Sequence, residues 1–285
     1  MSTHSGVCNF CGTGCGHLLD VRDGAVRGVF AAPGHPVSRG RLCVRGWHIH
    51  ELLATRDRIV SPAVRRDGRL QTVPYDEALT YAADRLGRYS GDEIAFLASP
   101  RASNEDNFLM AQLARSVFRT PHIALASDQG HGEAADVLLE GTGWPAMSGG
   151  LTEIRKAGFI LVAGADIAKL NPIVGSEIHR AARGGSELVT LSARSTQIAR
   201  LSGRHLWLRP GTLRHVLAAL AKVLVERGWH DEAFVRERTE GFDDFARSLA
   251  VLDLAALAGA AGLEPATIED LARRLAQAST AMAFF

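Results

Sequence analysis

The sequence predicts an α/β protein in which a small, metal-organised N-terminal domain precedes two parallel α/β domains. Two observations lead to this prediction. All four cysteines lie within the first 43 residues, and apolar strand-like runs alternate with helical segments along most of the remaining chain. A chain of 285 residues can bury a substantial core in two or three packed units. We therefore expect domains at residues 1–57, 58–134 and 135–285, of which the second is partial.

The first predicted elements are short. Residues 1–57 are rich in Gly, Cys and His, contain β-like runs such as 24–30, and have no amphipathic helix before the WHIHELL segment. The VRRDGRLQTV run predicts a hairpin around Asp67-Gly68, because this dipeptide favours tight turns between strands. A helix is then expected over residues 74–86, since a proline opens the segment and acidic residues occupy its first turn.

From residue 93 onward, strands and helices alternate in the way that is typical of parallel α/β units. The predicted strands cover 93–98, 159–163, 188–191 and 205–208, and the predicted helices cover 104–118, 172–182 and 212–227. Residues 252–276 are rich in Ala and Leu at helical spacing, and the final AMAFF run predicts one more buried strand. Because no helix follows to cover that strand, we expect a natural half-length subunit or a fragment of a longer polypeptide.

The overall charge excludes two classes of partner. The chain has 32 Lys and Arg against 31 Asp and Glu, with a net charge of +1. Such a balance gives no global field that would attract nucleic acid or a membrane surface. No basic stretch is followed by an apolar run, and no segment approaches the roughly 18 apolar residues of a membrane helix. We predict a cytoplasmic protein without a direct membrane span.

The cysteine spacing is the strongest motif in the sequence. It reads C-x2-C-x3-C-x27-C, with glycines interleaved among the first three cysteines. Glycine permits left-handed turns and close backbone approach, which three thiolates need in order to converge from one loop onto a cluster. A zinc site usually pairs two C-x2-4-C knuckles, and inert thiols are a further alternative. The spacing favours one [4Fe-4S] cluster bound by Cys8, Cys11, Cys15 and Cys43.

A basic residue follows the fourth cysteine closely. Arg45 lies two positions beyond Cys43, in the run RLCVRGW. A fixed cation beside a cluster raises its reduction potential and can bridge to an anionic cofactor. The alternative interpretation is a solvated surface arginine. We predict the first role for Arg45.

Several stretches resemble the molybdopterin oxidoreductases, and among them the formate dehydrogenase alpha subunits. They are CNFCGTGCG, GRLCVRGWHIHELL, SPRASNEDNFLMAQLARSVFRT and EIRKAGFILVAGADIAKLNPIVGSEIHRAARGG. The resemblance implies a [4Fe-4S] domain followed by Rossmann-like α/β domains of the formate dehydrogenase and DMSO reductase type. It also implies that Arg45 lies between the cluster and a pterin. The family's returning α/β segment and C-terminal β-domain are absent from this sequence.

Members of this family bind a bis-molybdopterin guanine dinucleotide with molybdenum or tungsten. A cysteine or selenocysteine is a ligand of the metal, and the His that follows it is the proton partner. Here Gly130 occupies the position of that ligand, and His131 follows it. Glycine has no side chain with which to bind a metal, and Ser127 and Asp128 would be harder oxygen ligands out of register. His131 could still transfer a proton, although a partly exposed loop histidine is the plainer interpretation.

Two further family positions are changed. The family's G-x-N-P turn reads Gly164-Ala165-Asp166-Ile167, and its Asp-Pro-Arg reads Ser192-Ala193-Arg194. Groups that would bond the nucleotide are thereby replaced by groups of another charge or reach, and Asp166 would repel phosphate. We therefore expect no complete molybdenum site, and these changes make binding of the molybdopterin guanine dinucleotide doubtful.

These observations favour an iron-sulfur electron-transfer subunit of a multi-subunit oxidoreductase, on a formate dehydrogenase-type scaffold. Its expected partners are other redox subunits that carry iron-sulfur clusters or a flavin or NAD site, because one-electron relays need neighbouring centres. The alternative is a catalytic formate dehydrogenase-type fragment that binds the dinucleotide together with a partner chain. A structural scaffold with a zinc-filled site is a third hypothesis. No motif for NAD or ATP binding is found in the chain.

Overall fold

The protein was analysed as a computed structural model that describes residues 2–126 and 131–285. It divides into two units, Met1–Ser148 and Gly149–Phe285. The predicted α/β class is observed, with an N-terminal antiparallel sheet, a small parallel sheet in the first unit and a larger parallel sheet in the second. The finer boundaries at 57/58 and 134/135 stay predictions.

Three antiparallel strands open the first unit in the order β1-β2-β3. They are β1 (Ser2–Val7), β2 (Gly16–Arg22) and β3 (Ala25–Ala31). β1 pairs with β2 from Ser2 opposite Val21 to Val7 opposite Gly16. This register leaves residues 8–15, which hold three of the cysteines, as the connection between two paired strands.

Short helices and a hairpin follow. Helices α1 (Val44–Trp47) and α2 (Glu51–Ala54) each span one turn. The predicted hairpin is confirmed as β4 (Ala63–Arg66) paired with β5 (Arg69–Thr72). Its turn places Asp67 and Gly68 at φ values of 51° and 78°, the left-handed region that such a two-residue turn requires.

A βαβ motif makes up much of the rest of the first unit. Helix α3 (Tyr75–Leu86) leads to β6 (Phe96–Ala98), α4 (Asn104–Gln112), β7 (Ile123–Leu125) and α5 (His131–Thr142), and β6 pairs with β7 in parallel.

Two predictions need correction here. The strand predicted over 93–98 begins only at Phe96, because Ser90 and Glu93 form a capping box around a single helical turn. The predicted helix 104–118 continues past Gln112 as a π-helical segment, Leu113–Phe118.

The second unit contains a four-stranded parallel sheet in the order β10-β9-β8-β11. Its strands are β8 (Phe159–Ala163), β9 (Glu187–Ser192), β10 (Arg204–Trp207) and β11 (Ala281–Phe284). Its helices are α6 (Ile167–Leu170), α7 (Pro172–Arg183), α8 (Gln197–Leu201), α9 (Leu213–Glu226), α10 (Glu232–Arg238), α11 (Phe242–Ala250), α12 (Leu254–Ala261) and α13 (Pro265–Gln277).

Helices cover both faces of this sheet. All five residues of β8 are buried, and alternate side chains enter two separate cores. Phe159 and Leu161 pack with α9, α12 and α13, while Ile160 and Val162 pack with α7 and α8. The predicted buried strand at the end of the chain is present as β11, but only Phe284 of it is buried. The predicted helical segment 252–276 is split into two helices at Gly262, whose φ is 79°.

A buried ion pair fixes helix α7 within the second unit. Glu177 has no exposed surface. Its carboxylate accepts hydrogen bonds from Arg155 Nε at 2.5 Å, Arg155 Nη2 at 3.1 Å and Arg180 Nη1 at 3.2 Å. The pair raises the pKa of Arg155, chiefly through the hydrogen bond to Glu177. It ties α7 to the single turn Ile154–Lys156.

In residues 2–126 and 131–285, no helix combines the length and apolar character that a membrane crossing requires.

The Glu177→Gln substitution should destabilise α7, because an amide cannot balance two guanidinium groups at a buried position. Hydrogen bonds to charged groups contribute about 1.5–3 kcal/mol each, so we expect the free energy of opening of residues 172–183 to fall by roughly that amount. Hydrogen exchange of these amides measures it. Glu237→Gln is the matched control, since Glu237 pairs with Arg236 on an exposed surface and should leave exchange unchanged. Equal effects in both variants would show that burial is not the source.

Candidate metal centre

Residues 8–15 form a closed loop that carries three thiols. The Cys8 N–H donates to the Cys15 carbonyl oxygen at 2.8 Å, and the Gly14 N–H donates to the Cys11 carbonyl oxygen at 3.2 Å. Gly14 has a φ of 59°, which an L side chain rarely adopts. Cys8 and Cys15 are buried, while Cys11 is partly exposed. Strand pairing and these bonds hold the three thiols in one turn of chain.

The fourth thiol enters from a segment that is anchored to the same loop. Ser38 is fully buried, and its Oγ accepts a hydrogen bond from the Gly16 N–H at 3.1 Å. The ring of His35 lies over Gly16, where an added Cβ would come within 2.4 Å of His35 Cγ. Only glycine fits under this ring. The 32–43 segment is thereby joined to the residue after Cys15, and it ends at Cys43, which caps α1.

The thiols lie close enough to affect one another. Burial is the main cause, and the charges of Cys11, Cys8 and Cys43 add to it, so that the pKa of Cys15 is raised to about 11. Burial also raises the pKa of Cys8, while the Phe10 N–H and Arg45 act in the opposite direction. Cys8 and Cys15 thus favour the protonated form, and a bound metal would replace those protons.

The donor set fits a cluster better than a single ion. Within the part of the chain that the structure describes, no three His, Cys, Asp or Glu side chains are placed to hold one metal ion. A zinc ion draws its thiolates to about 2.3 Å. A [4Fe-4S] cluster instead binds each thiolate at a separate iron, so its ligands stay farther apart. The four cysteines, whose charges act on one another, match the number and type of ligands that such a cluster takes.

Two arginines flank the fourth cysteine. Arg45 lies with its Cζ 6.0 Å from the ring centroid of Phe10, which is in the thiol loop. The charge of Arg45 also lowers the pKa of Cys8. Its role between a cluster and a pterin stays a prediction. Sequence reasoning missed Arg41, whose charge favours the thiolate of Cys15. Its position two residues before Cys43 was the available signal.

The predicted catalytic positions fall largely outside the described residues. Ser127, Asp128 and Gly130 lie there, and so does the side chain of His131. The backbone of His131 begins α5, so this residue is not in a loop. The roles of these positions, including that of His131, stay predictions.

The two altered nucleotide-binding turns are neighbours at the carboxyl ends of β8 and β9. The Gly164 N–H donates to the Leu191 carbonyl oxygen at 2.8 Å, which joins the turns. Open parallel sheets bind nucleotides at this edge. The Ser192 hydroxyl donates to the Arg194 carbonyl oxygen at 2.6 Å. Among the described residues, the buried Oδ1 atom of Asp166 accepts no hydrogen bond. The backbone of the two turns is thus joined as in an open parallel sheet, while their side chains differ from those of the family pattern.

Comparison with known proteins matches both parts of the chain. The molybdopterin oxidoreductase Fe4S4 domain matches residues 1–54, and the molybdopterin oxidoreductase domain matches residues 58–283. Acetylene hydratase from Pelobacter acetylenicus has a similar fold, with a TM-score of 0.81 at 18% identity over 99% of this chain and 40% of that one.

Curated relatives are formate dehydrogenases. The F420-dependent formate dehydrogenase 2 subunit alpha of Methanococcus maripaludis is 30% identical over 275 residues, which cover 96% of this chain and 41% of the relative. Formate dehydrogenase H of Escherichia coli is 31% identical over 286 residues, with coverage of 96% and 40%. The chain therefore spans about two fifths of the length of these relatives. It belongs to the molybdopterin oxidoreductase family and is homologous to formate dehydrogenase alpha subunits.

Proposed function

We propose that Cys8, Cys11, Cys15 and Cys43 bind one [4Fe-4S] cluster and that the chain is an iron-sulfur electron-transfer subunit of a larger oxidoreductase. The observation that carries this proposal is the closed loop 8–15, which holds three of the four cysteines at the end of the β1–β2 pair. The match of residues 1–54 to an Fe4S4 domain supports a cluster of this type. When bound, the cluster would accept and release one electron at a time.

The surrounding residues would give the cluster a defined environment. Strand pairing and the Ser38 anchor hold the ligand loops, and Arg45 supplies a fixed positive charge next to them. A preformed ligand frame reduces the loss of entropy on metal binding. The cysteines must stay reduced in order to bind a cluster, and disulfides are rare in the cytosol, which agrees with the predicted cytoplasmic location.

The proposal includes partner subunits. A single cluster passes an electron onward only if another redox centre lies nearby, so we expect a subunit that carries an iron-sulfur cluster, a flavin or an NAD site. Three of the relatives are named as alpha subunits of F420-dependent formate dehydrogenases, and such a name implies further subunits in those enzymes.

A second candidate is a catalytic formate dehydrogenase-type component that binds a molybdopterin guanine dinucleotide with a partner chain. The match of residues 58–283 to the molybdopterin oxidoreductase domain favours it. Three differences from the family pattern count against it. Gly130 occupies the metal-ligand position, and the Ser192 hydroxyl donates to the Arg194 carbonyl oxygen within the chain. Asp166 places a carboxylate at the sheet edge where nucleotides bind in open parallel sheets. These three differences lead us to prefer the electron-transfer role.

The ligand assignment predicts that Cys11→Ala and Cys43→Ala lose iron. Anaerobically purified wild-type protein should contain about four irons per chain and show a cluster EPR signal on dithionite reduction. The variants should hold less than about one iron, and amides in residues 2–31 should exchange faster, because metal bonds stabilise this small domain. Ser5→Ala, an exposed substitution in β1, is the control and should keep full iron. Full iron in Cys43→Ala would show that another residue is the fourth ligand.

Elemental and pterin analysis separates the two candidate functions. The electron-transfer role predicts iron without molybdenum or tungsten, and no formate oxidation with viologen as acceptor, when the protein is expressed with both metals available. Molybdenum or tungsten at about one atom per chain, together with formate oxidation, would establish the catalytic candidate instead. Zinc in place of iron would support a structural site and reject both.

The Gly130→Cys substitution tests whether the remaining pterin contacts are functional. We expect the variant to gain no formate oxidation, since a restored thiol alone cannot replace contacts that the altered turns no longer make. Ser127→Cys is the matched control for a thiol placed nearby. Formate oxidation in Gly130→Cys but not in Ser127→Cys would mean that the dinucleotide site is intact, and our preference for the electron-transfer role would be wrong.

A further inference from the structure

A cleft lies at the amino ends of β9 and β10, at the edge of the sheet opposite to the two altered turns. Its volume of about 670 Å³ is within the roughly 300–1,000 Å³ that is typical of small-molecule sites. Its walls come from the carboxyl-terminal parts of α7 and α8, the first residues of β9 and β10, and helix α13. We call this space the amino-edge cleft; its lining includes His179, Arg183, Leu188, Gly203, Arg204 and Asp270.

Two carboxylates in the cleft hold guanidinium groups in place. Asp270 accepts hydrogen bonds from Arg204 and, at 2.9 Å, from Arg274 Nε. Glu187 accepts one from Arg274 Nη1 at 3.1 Å. A guanidinium has five N–H donors, so these bonds leave both arginines with further donors for a ligand. The arginines are positioned before any ligand arrives, which lowers the entropy cost of binding.

Helix α7 adds two donor groups to the same cleft. His179 and Arg183 are four residues apart, so they share one face of α7, and both line the cleft. The buried carboxylate of this helix, Glu177, is bound to Arg155 and Arg180 instead. Within residues 2–126 and 131–285, Arg183 forms no ion pair. The cleft is thus lined by three arginines against two carboxylates, in a chain whose net charge is only +1.

The plainer role of Arg183 is to balance the negative end of the α7 dipole, because it lies in the last turn of that helix. The backbone already closes this end, where the Ser186 N–H donates to the Ala181 carbonyl oxygen at 3.1 Å. Arg238 lies in the last turn of α10 and is exposed, outside the cleft. It therefore serves as a matched arginine for a role in helix stability alone.

The cleft also has apolar surface and open space. Leu188 is buried, and Ala182 and Leu201 are further apolar residues of the lining. A Cβ atom added to Gly203 would meet no heavy atom within 4 Å. Apolar surface next to positioned cations suits an organic molecule with an anionic group better than a bare ion.

We infer that the amino-edge cleft binds a small organic molecule that carries a phosphate group. A phosphate monoester has about −1.5 to −2 charges at neutral pH and three strong acceptor oxygens. Guanidinium groups bind such oxygens in pairs, so Arg183, Arg204 and Arg274 would hold the phosphate. Leu188 and Leu201 would contact the organic part. This site is independent of the cysteines, so its failure would leave the proposed function untouched.

The experiment is a calorimetric titration of the anaerobically purified full-length chain with phenyl phosphate at low ionic strength. Inorganic phosphate and benzoate are titrated in the same way. We expect phenyl phosphate to bind roughly tenfold more tightly than inorganic phosphate, because its ring buries apolar surface. Benzoate should bind more weakly than phenyl phosphate, since a carboxylate has less charge and fewer oxygens. Hydrogen exchange should show protection by phenyl phosphate at residues 183–188 and 201–206.

Three variants test the location of the site. Arg183→Gln should weaken the binding of phenyl phosphate roughly tenfold, because a charge-assisted hydrogen bond is lost. Arg238→Gln removes the same charge from an exposed helix end and should leave the affinity unchanged. Gly203→Phe fills the cleft without a change of charge and should abolish binding. Open space around Gly203 lets this variant fold, so it tests the site even if Arg183→Gln is unstable.

Several results would overturn the inference. The wild-type chain could fail to bind phenyl phosphate, or Gly203→Phe could bind it as tightly as the wild type does. Equal losses of affinity in Arg183→Gln and Arg238→Gln would indicate general surface charge. Inorganic phosphate that binds as tightly as phenyl phosphate would show that the apolar surface takes no part. Benzoate of equal affinity would show that the site does not select phosphate.

Discussion

Four cysteines, two of them buried, constrain the N-terminal region. Burial and the charges of the neighbouring cysteines disfavour the thiolate forms of Cys8 and Cys15, so these groups are stable either protonated or bound to metal. The surrounding chain must hold them together in both states. It does so with backbone bonds: the Cys8 N–H to the Cys15 carbonyl oxygen, and the strand pairing of β1 with β2. The antiparallel sheet is therefore the support for the candidate centre.

The ligand set could be proposed from the sequence because spacing and glycine content are local properties. The supports for that set could not. Ser38 and His35 act on Gly16 from about twenty residues away, and only the folded chain brings them there. Strand β1 has no clear apolar alternation and forms because β2 pairs with it over its length. Arg41 was missed for the same reason: its charge matters only because Ser38 holds its segment next to Cys15.

In the second unit, the sequence predicts individual strands and helices but not which strands pair with each other. The FILVA run predicts a strand buried on both faces, and β8 is such a strand. Periodicity does not state that β9 and β11 lie on either side of it. Because β8 and β9 are neighbours, Gly164 lies next to Leu191, and the two altered turns lie side by side at the same edge of the sheet. The split at Gly262 was also missed, since an Ala/Leu-rich run continues the helical pattern across it.

Fold and chemistry depend on different residues in the two units. In the second unit, the core lies within the strands and helices, while Asp166 and Ser192 stand at the carboxyl edge outside it. Such positions can change with little loss of stability, so the same sheet persists at 18% identity to a protein of similar fold. In the N-terminal domain, the cysteines are both chemical groups and structural ones, because a short segment lacks the core to fold without them. A family member that loses its nucleotide contacts can thus remain folded, whereas one that loses its cysteines loses a domain. The proposed cluster therefore depends on the cysteine assignment. The altered turns bear only on the choice between the electron-transfer role and the catalytic role.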